Sequence, residues 1–344
     1  MRRVFVRFMF LFLFLVLLPS PLPAADANNK VLAADLVRDG QLINLESERY
    51  IEIFKDLRTR YHFTKEELQK IFAGVSISKR VLELMDTQWE AKPYYEYFPR
   101  FITEEVIKEG REKLIQYRDV LDKIETQLGV ERQIVVAIWG IETRYGKYNG
   151  GFNMFKTLNT MFDAYPRRRD FYRQQLIEFL VLCRENKVDP LAVTGSYGGA
   201  FGQTQFIPSS FREYAVDFDT DGRRDVWNSV PDILASIANY LKRFDWVYQA
   251  PIYGDLGSHL NEESLLAAAR QGLKSLVSLK KVKEIQKVDL RPSPGDKGVL
   301  VVELEVDSRG GMRYVAGYPN FQAITKWNNS KRYAMAVSEL AARY

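Results

Sequence analysis

Two features of this chain have residue types and spacings that could do chemistry. The first is a lone carboxylate, Glu142, in the stretch "VVAIWGIETRYG" at residues 135–146. An apolar run leads into it, and Arg144, Tyr145 and Gly146 follow. A helix that is apolar on nearly every face is buried in a core. A glutamate at its C-terminal end is partly desolvated and also lies at the negative end of the helix dipole. Both effects raise a carboxyl pKa, and an acid kept protonated near neutral pH can act as a general acid. The structural alternative is an ion pair with Arg144 that simply secures the helix end. Gly140 and Gly146 are expected to end the helix and leave room for a ligand beside Glu142.

The second feature is "DFDTDGRRDVWN" at residues 217–228. Asp217, Asp219 and Asp221 alternate, Gly222 allows the turn, and Asp225 takes the ninth position. This is the front of a calcium loop, in which hard oxygens at alternate positions converge on one cation. Arg223, at the seventh position, would contribute its carbonyl. Asn228 stands where a bidentate glutamate is expected, and Asp232, four residues later, could supply the missing carboxylate. An acidic surface turn is the bland alternative.

Other chemistries find little support. Most glycosidases use two carboxylates, yet the next acids after Glu142 are Asp163 and Asp170, which lie among arginines and read as capping or ion-pair groups. The glycine-rich "TGSYGGAFG" meets neither the nucleophile-elbow pattern nor the phosphate-loop ending. The chain has only His62 and His259, and a single cysteine, Cys183, in the apolar stretch "FLVLCRE". These numbers disfavour a Ser/His hydrolase, a zinc site and any internal disulfide. Cys183 reads as a small buried hydrophobe.

The elements that must position these residues are mostly helical. "HFTKEELQKIFAG" offers Thr64 and Glu67 at capping-box spacing. "FITEEVIKEGREKLIQYRDVLDKIETQLG" reads as helix from the N-cap Thr103 to Gly129. Residues 130–146 and 167–187 read as two more helices, and "SVPDILASIANYLKRF" as another, with Ser229 as N-cap. "VLVVELE" and "GMRYVAGY", separated by "DSRGG", read as a hairpin, and "SKRYAMAVSELAARY" as a closing helix. The fold class is mostly α with a small β element.

The chain begins "MRRVFVRFMFLFLFLVLLPSPLPAADANNK". Arginines, an apolar run and an A-x-A-like site make residues 1–25 a secretory leader. Its loss lowers the formal charge of +5 by three, to +2, because Arg2, Arg3 and Arg7 leave with it. Nothing then suggests nucleic-acid binding. No cysteine at the cleavage site offers a lipid anchor, so the expected protein is periplasmic, with no transmembrane anchor after cleavage. Aromatic residues form 13% of the chain, which suits either a sugar- or peptide-binding groove or a Tyr-rich core.

Taken together, "GIETRYG", "YPRRRDFYRQQLIEFL", "GSYGGAFGQTQFIPSSFREYAVDFDTDGRRDVWNSVPDILASIANYLKRFDW" and "AGYPNFQAITKWNNSKRYAMAV" resemble the lytic murein transglycosylase B family. The resemblance covers about 90–250 and 313–344, in family order and spacing. It implies a lysozyme-like helical core at 129–252, an N-terminal helical domain at 27–128, a small β subdomain at 253–312 and a segment, 313–344, that returns to the core. It implies cleavage of the MurNAc–GlcNAc β-1,4 bond of peptidoglycan strands without water, with Glu142 as acid and then base. It further implies that Ser196 and Gln205 are polar groove residues and that Tyr97, Tyr240 and Tyr333 are groove aromatics. Trp327 stands where the family carries a tyrosine, so stacking on a sugar would survive and a hydroxyl contact would be lost. Calcium, held by Asp217, Asp219, Asp221, Arg223 and Asp232, is expected to be structural, and no organic cofactor is expected. A water-using muramidase and a non-catalytic, calcium-stabilised peptidoglycan-binding protein are the alternatives.

Overall fold

A computed structural model describes residues 32–86 and 92–344. The leader at 1–25 and the first residues of the expected N-terminal domain lie outside the described residues. The helices, in chain order, are α1 (Glu48–Tyr61), α2 (Lys65–Phe72), α3 (Lys79–Asp86), α4 (Tyr94–Tyr97), α5 (Glu104–Gln116), α6 (Arg118–Leu128), α7 (Arg132–Thr143) and α8 (Met154–Ala164). They continue with α9 (Arg169–Glu185), α10 (Pro208–Tyr214), α11 (Val230–Arg243), α12 (Glu263–Arg270), α13 (Leu279–Gln286), α14 (Pro319–Trp327) and α15 (Lys331–Ala341). Two short strands, β1 (Phe152–Asn153) and β2 (Thr194–Gly195), pair antiparallel. Four more, β3 (Tyr253–Gly257), β4 (Leu276–Val277), β5 (Val299–Glu305) and β6 (Met312–Gly317), form an antiparallel sheet in the order β3-β6-β5-β4.

Local rules explain several element ends. The Thr64–Glu67 capping box is complete, with Glu67 N–H donating to Thr64 Oγ1 at 3.1 Å and Thr64 N–H to Glu67 Oε2 at 2.7 Å. Thr103 caps α5 through Val106 N–H, and Gly129 ends α6 in the left-handed region at φ 67°. The stretch from Thr103 to Gly129 is not one helix, however. It breaks at Tyr117, whose ring turns edge-on to Trp139 of α7 at 5.9 Å. Tertiary packing of an aromatic side chain overrides an otherwise continuous helical pattern there.

α7 is the axis of the molecule. Every residue from Ile134 to Thr143 is buried, and α5, α6, α11 and α15 pack around it. An all-apolar helix has no solvated face to offer, so it forms only where neighbours cover it on every side. The apolar contacts join residues from Ala34 to Ala341 into one continuous core.

The sheet divides its two faces between that core and a second, smaller one. Leu300, Val302 and Leu304 of β5 join the main core, whereas Val299 and Val301 face the smaller cluster with Leu265, Val282 and Tyr318. A strand alternates its side chains between faces, so one apolar run serves both cores. The β5–β6 hairpin closes through Val306 N–H to the Gly311 carbonyl at 2.9 Å, with Asp307 Oδ1 accepting from Arg309 and Gly311 N–H groups. The "DSRGG" turn thus matches its observed place between β5 and β6. Cys183 is 1% exposed, inside α9.

Candidate active site

Glu142 lies in the last turn of α7 and is 6% exposed. Two side chains from distant parts of the chain donate to a single oxygen of its carboxyl. Tyr333 Oη, from α15, donates to Oε1 at 2.5 Å, and Trp327 Nε1, from the end of α14, donates to the same atom at 2.8 Å. No described residue forms an ion pair with Glu142; Arg144 instead donates to the Arg100 carbonyl at 2.7 Å. Burial raises the Glu142 pKa from 4.5 to about 7, and the bonds from Tyr333 and Trp327 work in the opposite direction. Desolvation wins because two neutral donors on one oxygen recover only part of the hydration that a carboxylate loses.

The turn after Glu142 is unusual. Arg144, Tyr145 and Gly146 adopt positive φ in succession, at 50°, 57° and 88°. Left-handed conformations are strained for residues with side chains and persist where surroundings over-determine them. Here Arg144 N–H bonds the Gly140 carbonyl at 3.0 Å, Tyr145 Oη bonds the Val106 carbonyl at 2.7 Å, and Gly146 N–H bonds Thr143 Oγ1 at 3.0 Å. The glycines do not have the purpose expected of them. A Cβ on Gly140 would lie 2.8 Å from the Tyr145 ring, and one on Gly146 would lie 2.3 Å from Gln203 Oε1. Gly140 admits a folded-back tyrosine and Gly146 a glutamine, and it is Arg144, not a glycine, that caps α7.

The glycine-rich segment forms a closed turn beside this site. Ser196 N–H bonds the Ala200 carbonyl at 2.7 Å, and Ala200 N–H bonds Ser196 Oγ at 3.0 Å. A Cβ on Gly195 would lie 2.2 Å from that same Ala200 oxygen, so the turn requires glycine there. Gln205 adopts φ 50° and is 1% exposed. Its Nε2 donates to the carbonyls of Gly202 at 2.8 Å and Asn149 at 3.4 Å. Two carbonyl neighbours identify that atom as the nitrogen. Its Oε1 and the Asn149 Oδ1 are buried acceptors with no partner among the described residues. Such atoms are uncommon in native interiors, and they give this wall of the site unspent hydrogen-bonding capacity. Asn149 was not singled out in the sequence, where it reads as an ordinary loop residue.

The aromatic residues fall at different depths. Tyr240 directs its hydroxyl to the Lys326 carbonyl at 2.5 Å and lies edge-on to Trp327 at 4.8 Å. Phe206 packs against both, at 5.9 and 5.0 Å. Tyr240 therefore backs Trp327, and its hydroxyl is already committed. Tyr97 packs on Phe101 at 4.9 Å and is close enough to feel the Glu142 charge, which together with burial holds its phenol above the usual range. Trp327 does more than stack: its indole N–H touches the carboxyl directly.

In the aspartate loop, carboxylate oxygens of Asp217, Asp219 and Asp221 lie within 4.8 Å of one another. Asp217 accepts from the N–H groups of Asp221 and Gly222, and Asp221 accepts from Arg223 N–H at 2.8 Å. Three like charges converge with only backbone amides and the Ser229 hydroxyl to offset them. That donor set suits a hard divalent cation. Asp232 stands apart from the cluster. It is fully buried, and its two oxygens accept from Phe218, Asp219 and Asp225 N–H groups at 2.7, 3.3 and 2.8 Å. It clamps the loop from behind. The Asp225 carboxylate caps the chain reversal through Trp227 and Asn228 N–H, both at 2.8 Å.

A residue that sequence reasoning passed over, Gln203, joins the loop to α7. Gln203 N–H bonds the Val226 carbonyl at 2.7 Å and its Nε2 bonds the Trp227 carbonyl at 2.8 Å. Its Oε1 accepts from Trp139 Nε1 at 2.9 Å, and its carbonyl accepts from Thr143 Oγ1 at 3.3 Å. Its only signal in sequence is its place as the first glutamine of "GQTQ".

The Glu142 pKa carries a prediction. The folded value lies above the unfolded one, so the protonated carboxyl favours folding below about pH 4.5 and that advantage is lost as pH rises through about 7. Glu142→Gln, a neutral isostere, is expected to match the wild type in stability at pH 4.5 and to exceed it by up to about 3 kcal/mol at pH 8. Urea unfolding at the two pH values checks this; a pH-independent difference would contradict the buried-acid account.

Comparison with known proteins shows the family of the chain. The family described as "Transglycosylase SLT domain" matches residues 46–342. Membrane-bound lytic murein transglycosylase B of Escherichia coli (strain K12) is 33% identical over 291 residues, covering 82% of this chain and 78% of the relative. The crystal structure of soluble lytic transglycosylase SltB1 from Pseudomonas aeruginosa superposes with a TM-score of 0.77 at 36% identity, covering 85% of this chain and 96% of that one. The Escherichia coli lytic transglycosylase Slt35 in complex with calcium does so with a TM-score of 0.76 at 31% identity, covering 87% and 93%. SltB3 from Pseudomonas aeruginosa, in complex with NAG-anhNAM-pentapeptide, gives 0.72 at 32% identity, covering 86% and 78%. With its fold, its sequence and a family match over most of its length in agreement, this chain belongs to the lytic murein transglycosylase B family of SLT-domain proteins.

Proposed function

We propose that this protein is a lytic transglycosylase that cleaves the MurNAc–GlcNAc β-1,4 bond of peptidoglycan and leaves 1,6-anhydro-MurNAc ends. The observation that carries the reading is the solitary buried carboxyl. Burial, Tyr333 and Trp327 are what set the Glu142 protonation state, and no carboxylate takes part. A two-carboxylate mechanism needs a second acid as base or nucleophile. A single acid suffices when the nucleophile belongs to the substrate.

In this mechanism Glu142 protonates the glycosidic oxygen as the bond to the MurNAc anomeric carbon breaks. The resulting carboxylate then takes the proton of the C6 hydroxyl of the same sugar while that oxygen closes on the anomeric carbon. The proton returns to Glu142 and no water is consumed. A pKa near 7 suits both halves, since the group must give up a proton and then recover one. Intramolecular attack lowers the entropic barrier. Ser196, Gln205, Asn149 and Tyr97 would line the sugar-binding wall. The anhydro-sugar ligand of SltB3 supports this product class.

Asp217, Asp219 and Asp221, with the Arg223 carbonyl, would hold a structural calcium ion, in keeping with the calcium complex of Slt35. Asp232 would support those ligands from behind. Residues 27–128, 129–252, 253–312 and 313–344 are read as an N-terminal helical domain, a catalytic core, a small β subdomain and a returning segment. Among the described residues no helix is long and apolar enough to cross a membrane. With the leader at 1–25, this supports a periplasmic protein.

Digestion of purified sacculi tests the activity. Wild type is expected to release muropeptides with anhydro ends, and Glu142→Gln to release at least a thousandfold fewer while still binding strands. Reducing ends, or undiminished release by Glu142→Gln, would contradict the reading. For the metal, saturating calcium added to chelated protein should raise Tm by mass action. Asp219→Ala with Asp221→Ala should abolish the rise, and a Tm indifferent to calcium would dismiss the site.

A further inference from the structure

Two donors converge on one oxygen of Glu142, and one of them cannot change its role. An indole N–H donates and has no lone pair in its plane with which to accept. Trp327 Nε1 therefore requires Oε1 to be an acceptor at all times, at 2.8 Å. The Tyr333 hydroxyl, 2.5 Å from the same atom, stays neutral because burial and the adjacent Glu142 disfavour its ionisation, and it donates to Oε1 whenever that oxygen carries no proton. A proton on Oε1 would force the Tyr333 bond to reverse and would leave the indole on the weaker, hydroxyl oxygen of the acid. Oε2 receives no hydrogen bond from any described residue.

We infer that Trp327 is a positioning residue for Glu142, which with Tyr333 favours Oε1 as the carbonyl-type acceptor and so directs the proton to Oε2, the atom that gives and recovers it. The inference rests on reading Glu142 as the acid–base group. It gives the indole a purpose that stacking on a sugar does not. The ring is fixed for that purpose, edge-on to Tyr240 at 4.8 Å and against Phe206 at 5.0 Å, and Tyr240 in turn is tied to the Lys326 carbonyl next to Trp327. A tyrosine at position 327 could accept as well as donate, and would hold the proton's location less strictly.

The groups facing the carboxyl are Tyr333 from α15, Tyr97 from α4 and, behind Trp327, Tyr240 from α11, all phenols that burial keeps neutral. The flanking cations are engaged elsewhere, Arg332 with Glu305 and Arg144 with the Arg100 carbonyl. Glu142 is thus the group in this site that titrates near neutrality, and the indole bond is one of two that favour its charged form.

Titration of the Glu142 carboxyl by carbon-13 NMR, assigned with Glu142→Gln, and the pH profile of sacculus digestion test this together. In Trp327→Phe the carboxyl midpoint and the alkaline limb of kcat/KM should both move upward by about one pH unit. Its kcat should fall about tenfold with KM within twofold. Trp327→Tyr, which restores a donor, should return the midpoint most of the way. Tyr333→Phe, which removes the other donor, should shift the midpoint in the same direction and guards against a single variant that fails to fold. An unmoved midpoint in Trp327→Phe, with the loss confined to KM, would overturn the inference and leave Trp327 as a sugar-stacking residue. Should the wild type digest nothing, the transglycosylase reading falls while the titration still decides whether Trp327 and Tyr333 govern the carboxyl.

Discussion

The desolvation of one carboxyl is the constraint on which the rest of this structure depends. A carboxylate hidden from water is costly, and a protein usually compensates with a cation or backbone amides. Here neither is supplied. Glu142 ends a helix buried from Ile134 onward, and its bonding partners are a phenol and an indole. The compromise is an acid poised near pH 7, ionised at modest cost and reprotonated as readily. Keeping it so requires that α7 be covered on all sides, which explains why helices from both halves of the chain, α5 and α6 on one hand and α15 on the other, pack against it.

The strained turn that follows Glu142 and the aspartate loop are parts of the same support. Gln203 fastens the end of the loop, at Val226 and Trp227, to Trp139, one turn before Glu142, and to Thr143, the residue after it. Thr143 in turn holds Gly146 N–H and, through its carbonyl, Tyr148 N–H. A metal ion that orders the loop would thereby stiffen the end of α7 without approaching the reacting sugar. The β subdomain contributes more simply, since one face of β5 is part of the main core.

How much of this could be read from sequence depends on distance along the chain. Glu142 at the end of an apolar helix, the capping box at Thr64, the hairpin around "DSRGG" and the D-x-D-x-D-G loop are local patterns whose chemistry is decided within a dozen residues. The bonds that govern Glu142 span 185 and 191 residues, and no spacing announces them. Trp327 illustrates this. In sequence it reads as a sugar-stacking residue that lacks the family tyrosine's hydroxyl, and the structure adds an indole N–H donated to Glu142. The glycines beside Glu142 mislead for a related reason, because what a missing Cβ makes room for is settled by side chains folding back from elsewhere, here Tyr145 and Gln203. Asp232 shows the same limit: its spacing suggests a metal ligand, and no spacing announces the three backbone amides from which its carboxylate accepts.

The central claim is that one carboxyl performs both proton transfers and that water has no part in bond cleavage. Digestion of sacculi in water enriched in oxygen-18, followed by mass analysis of the new MurNAc ends, addresses it most directly. The account predicts ends lighter by one water than hydrolysis would give, carrying no label. Label at the anomeric position of those ends would mean that water is the nucleophile and would contradict it.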